Sequence, residues 1–589
     1  GSLVYKFDKL LIRHWDEYIL GRRHHPLIVS IERNAKGIFY FTSEPKDVLF
    51  GIDSDSPTRP LGYGKTQWSF SANGNKFAFT RRYDEKNEAA WSTDLDIFTV
   101  DLTKPNLQPM CITCENLATD TDPSYSPIDD QILVYRSQSV LGYESDQFKV
   151  KLYNNSNSKI TLLNDWNYSI QAITWSLDGQ SLFLQLGEEA RTVIYKLFNI
   201  LSNNSSPIRL INTGSSFDIN IHPTNNDIFV FRHGSIIKPI NVYLYSSQRS
   251  LRAVTNHNTN LLSKVRISTQ VETFNFTGAK NETVWGWHVA PVNGTSQKAP
   301  LAFLIHGGPQ NSWYDVWTYD LNFQTFSSQG YAIIAINFHG SDSYGQNFTD
   351  SITGQYGTLP YDDLKLGLSA ALARYNYIDG NRAVALGGSY GGYMINWIAG
   401  HPEMSRRFKA FICHAGIFDL REFAYSTEEL WFIEHDAGNF TPYGNPEAFE
   451  KFNPVNHVRN WSQPMLIIHG GRDYRIPDTQ RISAFTALQR RGVPSRMFYW
   501  INNNTILFLS NRASSSLYQL FQLNLPNDVS AMHNFLDPVQ ITDYPLGIDN
   551  LLVNRQATRL AFSCQVYANL SIQQTANRQA VEKTSGSLV

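Results

Sequence analysis

A chain of 589 residues is too long for a single hydrophobic core, which predicts two or more domains. Its formal net charge of −2 argues against nucleic acid or an anionic membrane as partner. No apolar run approaches the ~20 residues of a spanning helix, and one of the longest, Tyr331–Phe338, reads as a buried strand.

The first residues, Val4–Arg13, lack the apolar core and cleavage site of a signal peptide. The basic run Arg22–His25 reads as structural or surface charge. Trp68-Ser-Phe-Ser-Ala-Asn-Gly-Asn-Lys-Phe-Ala-Phe79 predicts a strand, a Gly-bearing turn and a second strand. Related units begin near Pro123, Ile173 and Phe217, a spacing of roughly 45–55 residues that suits propeller blades. Cys111-Ile-Thr-Cys114 has metal-type spacing but no second pair, so a local disulfide or two free thiols is expected. Asn-x-Ser/Thr acceptor sites recur along the chain, among them Asn154, Asn167, Asn204, Asn275, Asn281, Asn293, Asn439, Asn460 and Asn569, and favour a secretory route.

From about residue 281 the texture changes. Strand runs at Ala299–His306, Tyr331–Phe338, Ala383–Leu386, Ala410–Cys413 and Pro464–His469 alternate with helical stretches such as Asp362–Arg374, predicting a mostly parallel α/β sheet. All-β texture returns after residue 500, with two further units near Ile501 and Leu551. The chain opens with Gly-Ser-Leu-Val and closes with the same four residues; reading Val589 into Tyr5 gives continuous all-β sequence. The expected organisation is therefore part of a β-propeller over 1–280, an α/β domain over 281–500, and more blades over 501–589. The order reads as circularly permuted, in the molecule or in the joining of its transcript.

The sharpest chemical signal is Gly387-Gly-Ser389-Tyr-Gly391, between a strand and a helix-compatible stretch. Small residues there let a serine sit on a sharp turn with its hydroxyl above the sheet edge, the arrangement of a nucleophile. Upstream, His306-Gly-Gly-Pro309 places the N–H groups of Gly307 or Gly308 where, with that of Tyr390, they could hold an oxyanion. Asp473, in the loop after Pro464–His469, suits an acid that orients an imidazole. His306 precedes the nucleophile and reads as structural; His469 reads as a packed core residue. The catalytic histidine should follow the strand Ser495–Trp500, yet the only histidine after Asp473 is His533, in a polar stretch of the tail.

These motifs, with Ser426-Thr-Glu-Glu-Leu-Trp-Phe432, Asp473-Tyr-Arg-Ile-Pro477 and Arg491-Gly-Val-Pro-Ser-Arg496, resemble the prolyl oligopeptidase family, and within it a secreted fungal branch that releases dipeptides. The resemblance implies a seven-bladed propeller, of which about six blade starts are recognisable, capping an α/β-hydrolase domain that over 281–500 lacks its C-terminal end. It further implies a serine exopeptidase acting on free peptide N-termini, with no metal or organic cofactor, a peptide as the partner, and Ser389 and Asp473 in the catalytic site. The family's histidine lies in a Pro-Asp-x-Asn-His stretch just after the strand that ends here at Trp500, and this sequence has no such stretch. A serine without its base is poorly nucleophilic, so weak or no activity is expected of this chain. The alternatives are a peptide-binding protein without turnover and an esterase on the same fold. Glu428 and Glu429 could meet a substrate's amine, but helix-surface carboxylates are the plainer expectation.

Overall fold

The computed structural model describes residues 4–502, apart from 63, 84–88, 155–157 and 203–205, together with strand segments 505–510, 519–524, 551–553 and 559–566. His533, Asn204 and Asn569 lie outside the described residues.

Five antiparallel sheets make up the propeller among the described residues. Four follow the chain, with strands spanning 68–111, 120–162, 170–209 and 215–253, each carrying four strands in simple up-and-down order. Alternation explains them: Phe77, Phe79, Phe98 and Val100 pack toward Ile28 and Leu49 of the preceding sheet, whereas Ala78 and Ile97 pack toward Leu133 and Tyr135 of the next. Apolar clusters thus fill the space between neighbouring blades. The fifth sheet joins the two ends of the chain, since Arg23–Arg33 pairs antiparallel with Arg559–Val566 from Arg23↔Val566 to Ser30↔Arg559. The basic run is held inside this structure: Arg23 pairs with Asp53 at 2.8 Å, and His25, fully buried, meets Asp47 at 2.9 Å.

The second domain is one sheet. Its strands are β1 (Val271–Thr277), β2 (Thr283–Val289), β3 (Ala299–Ile305), β4 (Ala332–Asn337), β5 (Ile378–Gly388), β6 (Ala410–His414), β7 (Met465–Gly470) and β8 (Ser495–Asn502), in spatial order 1-2-4-3-5-6-7-8. From β4 through β8 all neighbours are parallel. Such strands are covered on both faces, and the sequence obeys: Leu301, Phe303 and Ile305 enter one core with helix α1 (Leu359–Arg374), while Ala302 and Leu304 enter the other, which takes in Ala190 and Ile236 of the propeller.

One difference concerns the unit expected to open a blade at Ile501. The strands β9 (Thr505–Ser510) and β10 (Gln519–Asn524) instead extend the hydrolase sheet, β9 antiparallel to β8 and β10 antiparallel to β9. The edge of β8 offers unpaired backbone donors and acceptors, and a β-prone segment only two residues downstream completes it as a hairpin. The chain also forms the local disulfide Cys111–Cys114, one of the two expectations for that pair.

Candidate active site

Ser389 stands between β5 and helix α2 (Tyr390–Ala399) with φ 58° and ψ −120°, a backbone setting that non-glycine residues rarely adopt. Its neighbours must be small. A Cβ on Gly387 would stand 2.5 Å from the Gly391 backbone, one on Gly391 would meet the His306 carbonyl oxygen at 2.9 Å, and one on Gly392 would meet Gly416 Cα at 2.6 Å. The turn is therefore wedged between β3 and β6, and the strain is sustained by packing on both sides. The Ser389 N–H donates to the His414 carbonyl at 3.0 Å, tying the turn to β6.

The 306–309 turn lies directly against this elbow. A Cβ on Gly307 would come 2.9 Å from the Gly388 oxygen and 3.1 Å from Ser389 Cβ, and Gly308 has φ 128°, a value suited to glycine alone. Tyr390 is the first residue of α2, whose leading N–H groups have no intrahelical acceptor. Gly307 thus lies against Ser389, with Gly308 next to it in the chain and Tyr390 directly after the serine. Ser389, Gly307 and His306 border one cleft of about 440 Å³, with Trp313, Tyr314, Asp320, Phe323 and His414 also in its wall.

His306 is unsuited to taking a proton. Its ring is buried, stacked on Phe338 at 4.1 Å, with Nε2 2.9 Å from Ser341 Oγ and Nδ1 2.8 Å from the Gly307 oxygen; burial pushes its pKa down to about 4. His469 is fully buried at the end of β7, its Nε2 donating to the Ile476 carbonyl at 2.7 Å, with a pKa likewise near 4 through burial. Asp473 follows in the loop after β7. Its Oδ1 accepts the Ile476 N–H at 2.9 Å, its Oδ2 is 3.6 Å from His469 Nε2, and burial raises its pKa.

Glu428 and Glu429 are not surface carboxylates: they are 4% and 2% exposed. Glu428 meets Arg475 Nε at 3.1 Å and His14 Nδ1 at 3.2 Å, and Glu429 pairs with the same guanidinium. Arg475 in turn lies 4.1 Å from the Trp15 ring, and Glu144 of the propeller accepts the Trp431 indole N–H at 3.1 Å nearby. Burial, with Glu144 and Glu428 close by, drives the Glu429 pKa well up; Glu144 is raised by burial. The loop bearing Asp473 is clamped by the same elements: Tyr474 N–H donates to the Trp15 carbonyl at 2.9 Å, and Thr427 Oγ1 donates to the Arg475 carbonyl at 2.8 Å.

Sequence reasoning passed over His414. It is the last residue of β6, exposed to the cleft, with Nδ1 3.3 Å from where a Cβ on Gly388 would stand. The signal available was a histidine ending the strand run that begins at Ala410.

The model of the prolyl oligopeptidase family matches residues 317–514. Dipeptidyl-peptidase 5 of Schizosaccharomyces pombe is 32% identical over 514 residues, covering 85% of this chain and 72% of that protein. Dipeptidyl-peptidase 5 of Porphyromonas gingivalis is 31% identical over 501 residues, covering 84% and 70%. Among solved structures, Pyrococcus horikoshii acylaminoacyl peptidase superposes with a TM-score of 0.67 at 18% identity, over 85% of this chain and 74% of that one. Porphyromonas gingivalis dipeptidyl peptidase 4 superposes at 0.56 and 15% identity, over 81% and 79%. These two share the fold.

Proposed function

Because this chain belongs to the prolyl oligopeptidase family, we propose that it is a serine exopeptidase that releases dipeptides from free peptide N-termini through an acyl-enzyme on Ser389. The observation that carries the reading is the strained Ser389 turn set against Gly307 in one cleft. In this reading the N–H groups of Tyr390 and of Gly307 or Gly308 stabilise the tetrahedral oxyanion, a contribution worth roughly 3–4 kcal/mol per donor. Asp473 supplies the carboxylate that orients and charges-compensates an imidazole. No metal or organic cofactor takes part in the step.

Exopeptidase action needs an anion for the substrate's ammonium group. Buried Glu428 and Glu429, with half-buried Glu144, gather around one guanidinium, Arg475, and an incoming ammonium would add a second positive partner for these carboxylates. Tyr314 borders both the Ser389 cleft and a second cavity of about 250 Å³ that reaches Glu144 between the two domains, a track for a short peptide in this reading. The second reading, a peptide-binding protein with little turnover, is favoured by the chain following β8, which runs directly into β9 with no histidine.

Secretion and glycosylation belong to the same proposal: Asn275, Asn281, Asn293 and Asn439 are exposed acceptors, and Cys111–Cys114 suits an oxidising compartment. Among the described residues, no helix is long and apolar enough to cross a membrane.

The test is release of a dipeptidyl anilide with a free amine against its N-acetylated twin. Slow turnover of the free-amine substrate alone, abolished by Ser389→Ala, is expected. Binding of both peptides without turnover would favour the second reading, and preferential hydrolysis of simple esters would overturn the peptidase assignment.

A further inference from the structure

Strand β6 lies between β5, which ends at Ser389, and β7, which leads to Asp473. A group at the C-terminal end of β6 therefore occupies the gap between nucleophile and acid. His414 is that group. Its backbone is in register with Gly388 and accepts the Ser389 N–H, and its ring leans over β5, with Nδ1 3.3 Å from where a Gly388 Cβ would stand. The other two histidines at this end of the sheet have their rings engaged, His306 by Ser341 and Phe338, His469 by the Ile476 carbonyl. His414 instead opens into the cleft that Ser389 borders.

We propose that His414 serves this chain as the general base for Ser389, since the link from β8 to β9 carries no histidine. The inference rests on the reading of Ser389 as nucleophile. The imidazole takes the Ser389 hydroxyl proton as Oγ bonds to the substrate carbonyl carbon. It returns that proton to the amine nitrogen as the C–N bond breaks and the peptide remainder leaves. Water then attacks the acyl ester, its proton passing to the imidazole and on to Ser389 Oγ, which frees the dipeptide acid.

The charge around the ring suits this task. Its titratable neighbours are Asp320 across the cleft and His469 on β7, with Asp473 beyond His469. The cleft walls around the ring lower the His414 pKa by partial desolvation and Asp320 opposes that shift, a balance that favours the neutral imidazole a base requires.

Fluorophosphonate labelling of Ser389, followed by intact mass and peptide mapping across pH 4–9, tests the assignment. For the unaltered chain the labelling rate should rise along one limb with a midpoint below 6.5. His414→Gln should label roughly 10²–10⁴-fold more slowly and lose that limb. Asp320→Asn should keep labelling but move the midpoint to lower pH, because the carboxylate that favours the imidazolium is gone; this variant reports even if His414→Gln folds poorly. Equal rates for His414→Gln and the unaltered chain would overturn the base while leaving the Ser389 nucleophile standing. A label that maps away from Ser389 would overturn the nucleophile itself, and the base with it.

Discussion

Gly391 shows how little room the site leaves at the scale of single residues. A methyl group there would press on the carbonyls of Ile305 and His306, so Gly391→Ala must push the elbow off β3. We expect a loss of about 1–3 kcal/mol in urea unfolding and loss of Ser389 labelling even where the chain still folds. The buried histidines make stability pH-dependent. His306 and His469 hold folded pKa values near 4 against an ordinary 6.5. Below 6.5 the unfolded chain takes up protons that the folded chain refuses, so stability is full above that value and falls as pH drops toward 4. At about 1.4 kcal/mol for each pH unit, the two together amount to several kcal/mol; denaturation midpoints at pH 7 and pH 4.5 measure the slope, and His306→Gln should flatten it. The Gly-x-Ser-x-Gly turn was legible because its requirement is local. The burial of Glu428 and Glu429 was not, because His14 and Arg475 reach them from distant parts of the chain.

At the scale of elements, helix α1 is pinned to its surroundings by a buried carboxylate as well as by its apolar face. Asp363, fully buried, accepts the Ala279 N–H at 2.7 Å and the His339 N–H at 2.7 Å, and its Oδ2 lies 2.6 Å from His339 Nδ1. It thereby pins α1 to the β1–β2 connection and to the loop after β4. Asp363→Ala would leave these donors unpaired in the core, and a loss of about 3–5 kcal/mol is expected in chemical denaturation. The strands of this region were readable as apolar runs, since both faces are buried. The fate of the segment after Trp500 was not: its alternation fits either a blade or an edge strand, and pairing with β8 decided between them.

For the whole molecule, specific contacts join the two domains. The Tyr143 ring stacks on His435 at 3.8 Å and its hydroxyl donates to Asp350 at 2.9 Å, while Leu430 N–H donates to the Ala90 carbonyl at 3.1 Å. Tyr143→Ala should remove about 3–5 kcal/mol of this coupling. In calorimetry we expect a broader transition in which propeller and hydrolase separate, with the Ser389 cleft perturbed through the 427–436 segment.

What the sequence by itself determined was everything written in short range: blade-like repeats, the parallel strand runs, the serine turn and the carboxylate loop. Each rests on the spacing of apolar residues or on a turn that only small residues can make. Tertiary structure decided the rest. Strand order placed His414 between Ser389 and Asp473, and the meeting of residues 13–15 with 427–429 and 473–476 made an interior for charges that looked exposed. Neighbours brought together across hundreds of residues set burial, and burial sets proton affinity.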